Sequence, residues 1–125
     1  MIDHISIGTR DLARAKAFYD AALEPLGYRC VASDDASLGY GADQASFWVL
    51  ASDEPVAPND ASGLHICFVA PSRESVEAFH RAALSQGGLD NGAPGPRPDY
   101  GTNYYAAFAK DPDGYRLEAH CSEPK

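Results

Sequence analysis

Basic side chains are scarce in this chain. Lys and Arg total 10 against 18 Asp and Glu, for a net charge of −8. This balance excludes nucleic acid and anionic membrane as main partners, because both require a basic face. Long apolar runs are also missing, and none approaches the roughly 20 residues that span a bilayer. The opening MIDHISIGTRDL has no basic n-region and no apolar h-region. No secretory signal is expected, and the chain reads as cytoplasmic. Only three cysteines occur, Cys30, Cys67 and Cys121, widely spaced and without a CxxC pair. They read as small buried hydrophobes in a reducing compartment rather than zinc or redox ligands. The phosphate cradles GxGxxG and GxxxxGK[ST] and the nucleophile elbow GxSxG are absent as well.

What is present is an internal repeat. Shifted by 61 residues, the segment from Asp3 to Gly27 overlies the segment from Leu64 to Gly88. His4 falls on His65, Ile5 on Ile66, Ala17 on Ala78, Phe18 on Phe79 and Gly27 on Gly88. The run Ala21-Ala22-Leu23 falls on Ala82-Ala83-Leu84. Matches of His, Phe and Gly are not products of alanine richness, so the pattern reads as a duplication. Each copy opens with a β-rich run, His4–Gly8 or His65–Val69, followed by a helix with an N-cap residue at Asp11 or Ser72. Gly27 and Gly88 are expected to relieve the left-handed position after the helices.

Further strands are predicted over Tyr28–Ala32, Ser37–Tyr40, Ala45–Leu50, Asn103–Ala109 and Tyr115–His120. Pro/Gly-rich 91–98 reads as a loop and Asp111-Pro112-Asp113-Gly114 as a turn. The expected architecture is α+β: one domain over 1–125, made of two βαβββ modules related by a pseudo-two-fold axis. They form a cup-shaped mixed sheet with the helices outside. Module one covers 1–52, a linker 53–62 and module two 63–121. The first strands of the two copies are expected side by side.

Strand alternation separates two faces. Ile5, Ile7, Phe47, Val49, Ile66, Phe68, Leu117 and Ala119 form an apolar face for the helices. The opposite face carries His4, Ser6, Ser46, Trp48, His65, Cys67, Arg116, Glu118 and His120, which reads as a concave, ligand-lined surface. On it His4, His65 and Glu118 form a candidate metal set. Two imidazoles and a carboxylate hold one divalent ion and leave positions open, which suits Zn, Ni, Fe or Mn. Glu118 and His120 are the candidate catalytic groups, with His120 as acid or base, as a partner of a ligand, or equally as a terminal surface residue.

Among the residues after the long loop, Tyr100, Asn103, Tyr104 and Tyr105 are candidates for the mouth of the site. Trp48, Tyr40, Arg97, Asn103, Tyr105 and Arg116 are the candidate pocket residues; Arg97 reads either as a solvated loop cation or as a partner for a substrate carboxylate. His80 reads as an exposed helix residue.

The segments DHISIGTRDLARAKAFYDAALEPLGY, GLHICFVAPSRESVEAFHRAAL and AFAKDPDGYRLEAHC together resemble the vicinal oxygen chelate superfamily. That group includes glyoxalase I, bleomycin-resistance proteins and extradiol dioxygenases. The resemblance implies paired βαβββ modules around a metal chelated by substrate oxygens. The family's ligand positions fall on His4, His65 and Glu118. Glyoxalase I has a further acidic or amide ligand where this chain has Trp48, so lactoylglutathione formation is not expected. The resemblance implies a metal-dependent lyase, isomerase or oxygenase acting on a small molecule, or alternatively a metal-free drug-sequestering protein. A homodimer is expected, because small relatives share cup walls between subunits and first-strand edges need partners.

Overall fold

A computed structural model describes residues 1–124. In chain order the elements are β1 (Ile5–Thr9), α1 (Leu12–Leu23), β2 (Arg29–Ser33), β3 (Ser37–Gly41) and β4 (Phe47–Ala51). They continue with β5 (His65–Val69), α2 (Arg73–Ser85), β6 (Leu89–Pro96), β7 (Tyr105–Lys110) and β8 (Arg116–Cys121). Two short 3-10 turns lie at Glu24–Leu26 and Asp60–Ser62. The two modules are the predicted βαβββ units, and their sheets run β1-β4-β3-β2 and β5-β8-β7-β6. In each sheet the first strand pairs in parallel with the last, and the remaining pairs are antiparallel.

The helices start where the sequence says they should. The Asp11 side chain accepts from the Arg14 amide, and Ser72 and Ser75 form a reciprocal capping box. Along α1, Ala15, Phe18, Tyr19, Ala22 and Leu23 are buried at helical spacing; α2 buries Val76, Phe79 and Ala83. These residues pack on the apolar sheet faces, and burial of each large side chain contributes roughly 1.5–3 kcal/mol. One core joins the modules. Phe47 of β4 meets Phe68 of β5 edge to face, with ring centroids 5.2 Å apart.

The Asp111-Pro112-Asp113-Gly114 turn is more than a turn. Buried Asp111 accepts from the Asp113 and Tyr115 amides and from the Tyr19 hydroxyl of the other module, at 2.5 Å. Asp113 accepts from the Thr9 hydroxyl and pairs with Arg14. The Tyr115 hydroxyl donates to the carbonyl oxygens of Gly8 and Val56. This clasp ties module two to the start of module one. Burial pushes the Asp111 carboxyl up, although its hydrogen bonds pull the other way.

Several expectations are corrected. Segment 91–98 is not a loop up to Pro96: residues Leu89–Pro96 form an edge strand paired with β7. The pairing slips between Asp90 and Gly92 and again between Gly92 and Gly95, and such edge bulges tolerate Pro and Gly. His80 is buried and lies 3.0 Å from Asp90. The left-handed position after α2 belongs to Gly87, at φ 92°, and not to Gly88. Gly88 is needed for packing instead, since a Cβ there would lie 2.8 Å from the Phe18 ring. Finally, β1 and β5 belong to separate sheets, so His4 and His65 are not on adjacent hydrogen-bonded strands. A cleft of about 240 Å³, lined by Ile5, Phe47, Ile66 and Val69 among others, opens between them.

Candidate functional site

The polar face of the second sheet carries the most organised set of side chains. Cys67 stands opposite Glu118 and His65 opposite Arg116 in the parallel β5–β8 pair. Phe108 stands opposite Glu118 in the antiparallel β7–β8 pair. Directly paired residues share a face, so His65, Cys67, Arg116, Glu118 and Phe108 all lie on the side away from the helices.

Glu118 is the centre of this group and is only 3% exposed. His65 Nε2 lies 2.9 Å from its Oε1. Its Oε2 accepts from the Tyr104 hydroxyl at 2.5 Å. A buried carboxylate is costly unless both oxygens find partners, and here they do. Desolvation and the bond to Glu118 push the Tyr104 phenol well up. Cys67 is open to solvent on one side. Desolvation by the surrounding protein, with the nearby Glu118 carboxylate, nevertheless pushes its thiol up to about 12.

Aromatic rings complete the surface. Tyr104 lies flat on His120, with centroids 4.0 Å apart and planes within 4°. Tyr100 meets Tyr104 edge to face. The His120 Nδ1 is buried without a hydrogen-bond partner. His65 stacks on Phe108, at 6.1 Å and 30°.

The other sequence-predicted residues divide between the two faces. Arg116 lies on the site face, where its Nε donates to the Leu64 carbonyl at 3.2 Å. Asn103 is in the loop before β7, next to Tyr104. Tyr105 points the other way: its hydroxyl donates to Glu77 of α2, and Arg73 covers its ring. Tyr40 is likewise a core residue, buried with its hydroxyl on Asp20 of α1. Trp48 is on the polar face of the first sheet, where its ring covers Gly39. His4 is exposed, and its Nδ1 lies 2.7 Å from Asp3.

One chain therefore brings together two of the three expected metal ligands. Among the described residues no three His, Cys, Asp or Glu side chains gather into a metal-binding cluster. The His65–Glu118 pair has the donor chemistry of a divalent-ion site, one imidazole and one carboxylate, but is incomplete by itself. Tyr104, named only as a candidate for the mouth, precedes β7, which begins at Tyr105 and not at the predicted Asn103. Phe108 was not among the candidates, and strict alternation from Glu118 across the paired strand would have found it.

The model of the Glyoxalase/Bleomycin resistance protein/Dioxygenase superfamily matches residues 1–119. A glyoxalase/bleomycin resistance protein from Albidiferax ferrireducens T118 is 30% identical, with 94% of this chain and 95% of that chain covered at a TM-score of 0.82. The fosfomycin resistance protein FosX from Mesorhizobium loti is 17% identical, with 96% and 90% covered at a TM-score of 0.69. A FosX variant from Listeria monocytogenes, complexed with Mn(II) and dihydroxypropylphosphonic acid, is 16% identical; coverage is 98% and 90% and the TM-score 0.71. At these last two identities the likeness is one of fold. Among the described residues, no helix is long and apolar enough to cross a membrane.

Proposed function

This chain belongs to the Glyoxalase/Bleomycin resistance protein/Dioxygenase superfamily, and from that premise we propose a metal-dependent enzyme whose metal site is shared between two copies of the chain. His65 and Glu118 of one copy would hold the ion together with His4 of the second. The observation that carries this reading is the His65 Nε2–Glu118 Oε1 contact of 2.9 Å on a polar sheet face, with no third His, Cys, Asp or Glu ligand gathered there among the described residues.

Three further features support a second copy. Both β1 and β5 end their sheets, and unpaired strand edges favour pairing with another chain. Apolar side chains are exposed along these edges: Ile2 at 76%, Ile5 at 36% and Val69 at 66%. A symmetric pair that seated β1 of one copy beside β5 of the other would make the same contact twice, as a two-fold interface does.

A bound divalent ion supplies Lewis acidity to a chelated substrate oxygen. This chain's own residues set the conditions around it. Tyr104 fixes the orientation of Glu118 by holding Oε2, which leaves Oε1 directed at the ligand position. Tyr104 also covers one face of His120. If His120 acts as base, it does so from a fixed ring orientation at the rim. The chemistry is a lyase, isomerase or oxygenase reaction on a small substrate with vicinal oxygens. Lactoylglutathione formation is not expected, because Trp48 cannot ligate metal.

One observation favours a second reading, a metal-free binding protein. Trp48 and the aromatic group Tyr100, Tyr104 and Phe108 provide flat surfaces suited to an aromatic ligand. Elemental analysis separates the two. Protein purified without chelator should hold one ion per chain, and His65→Ala and Glu118→Gln should hold none. Wild-type protein that stays empty after exposure to Zn, Ni, Fe and Mn, with an unchanged melting temperature, contradicts the enzyme reading. A ligand at about 100 times its Kd stabilises by roughly 2.7 kcal/mol, which is easily measured.

A further inference from the structure

The chain is strongly acidic, and several of its cations lie against acids. Arg14 pairs with Asp113, Lys16 with Asp20 and Lys110 with Asp60. Arg97 differs: among the described residues no carboxylate lies within ion-pair distance of it. It follows the bulged edge strand β6, and its guanidinium is held in place by other means. Nη2 donates to the Ala93 carbonyl at 2.8 Å and Nη1 to the Pro96 carbonyl at 3.3 Å. The group lies over the Phe108 ring, 5.3 Å from its centroid. His65 stacks against the same ring.

The local backbone is shaped to admit it. A Cβ on Gly92 would lie 2.9 Å from Phe108, and one on Gly95 would lie 3.1 Å from Arg97 Nη1. Gly92 also has φ +150°, which side-chain-bearing residues rarely adopt. The two glycines and the bulges bend the edge strand so that the guanidinium is seated on the ring.

We propose that Arg97 anchors an anionic oxyacid group, carboxylate or phosphonate, on the substrate, while the substrate's vicinal oxygens face His65 and Glu118. The second half of this statement rests on the function proposed above; the first does not. A guanidinium has five N–H donors, and two carbonyl bonds leave three free for a forked contact with an oxyacid. In a protein of net charge −8 an anionic substrate is repelled by the overall field. A guanidinium fixed beside the site without an acid partner offsets that repulsion locally. Arg116, on the same face and also without a carboxylate partner, adds positive potential.

Calorimetric binding of three probes tests this: dihydroxypropylphosphonate, dihydroxybutyrate and neutral propanediol. Each is titrated into Mn²⁺-loaded and metal-free protein, wild type, Arg97→Gln and Arg97→Lys, with Mn²⁺ occupancy read by electron paramagnetic resonance. Wild type should prefer at least one anionic probe over propanediol by about tenfold or more. Which anion binds tighter distinguishes phosphonate from carboxylate. Arg97→Gln should lose the preference at unchanged Mn²⁺ occupancy, and Arg97→Lys should keep part of it, as a point charge without the fork. Lysine also answers the question if the glutamine variant misfolds. Equal affinity for all three probes, or a preference that survives Arg97→Gln, overturns the proposal. Failure of Mn²⁺ to bind wild type defeats the metal reading alone, because an Arg97-dependent preference in metal-free protein still supports the anchor.

Discussion

Trp48 and Glu118 occupy the same station in the two modules. Trp48 stands opposite Ser6, two residues past His4, in the parallel β1–β4 pair; Glu118 stands opposite Cys67, two residues past His65, in the parallel β5–β8 pair. The duplicated scaffold thus presents a histidine twice and a carboxylate once. Each chain carries one His–Glu pair and one histidine without an acid beside it in register.

Replacing Trp48 by Glu restores the missing acid. In the two-copy site this variant should bind divalent metal about tenfold more tightly, as measured by competition with a chromogenic chelator. Loss of the indole packed on Gly39 should lower the melting temperature at the same time. Unchanged affinity would show that the first sheet's polar face lies away from the metal.

Tyr104→Phe removes one hydrogen bond from the buried Glu118 while keeping an aromatic ring over His120. The expected cost is about 1–3 kcal/mol in urea unfolding and roughly 10–100-fold in metal affinity. A stability loss with no change in metal affinity would make Tyr104 a structural residue only.

Asp111 holds the modules together. Asp111→Ala strands two backbone amides and the Tyr19 hydroxyl in the interior and should cost about 2–4 kcal/mol. Asp111→Asn keeps an acceptor for the amides and should cost less. Chemical denaturation at pH 7 checks both.

The same carboxyl gives a pH prediction. Its folded-state pKa lies above the ordinary 3.8 because of burial. A group raised in this way contributes stability that is fully present below the unfolded value and is lost as pH rises through the folded value. Wild type should therefore gain on Asp111→Asn as pH falls from neutrality towards 3.8. A difference independent of pH over that range would mean that the carboxyl titrates as it does in the unfolded chain.

The duplication, both N-caps and the two-faced strands were legible because they rest on local rules of period and capping. Strand β6 was not, since Gly and Pro read as loop residues until an edge position and bulges make them tolerable. His80 misled because its partner Asp90 is distant on the helix scale and becomes a neighbour only when β6 returns beside α2. Tyr40 and Tyr105 look like pocket aromatics in the sequence, yet each falls on the strand face turned to a helix carboxylate, Asp20 or Glu77. The expected ligand set His4, His65 and Glu118 came from the repeat, and the structure brings only His65 and Glu118 together. That first-strand edges stay in separate sheets was not legible, because nothing local distinguishes modules that join their first strands within one chain from modules that leave those edges open.

The central claim is that His4 of one copy completes the His65–Glu118 site of another, and mixed dimers test it most directly. His4→Ala chains and His65→Ala chains, carrying different affinity tags, are co-expressed and the heterodimer is isolated by sequential capture. In a shared arrangement one of the two sites receives His4 from the second variant and His65 with Glu118 from the first, so it is intact. The account predicts one metal ion per heterodimer and none in either parent homodimer. No metal in the heterodimer, or no dimer at micromolar concentration by sedimentation, would contradict it.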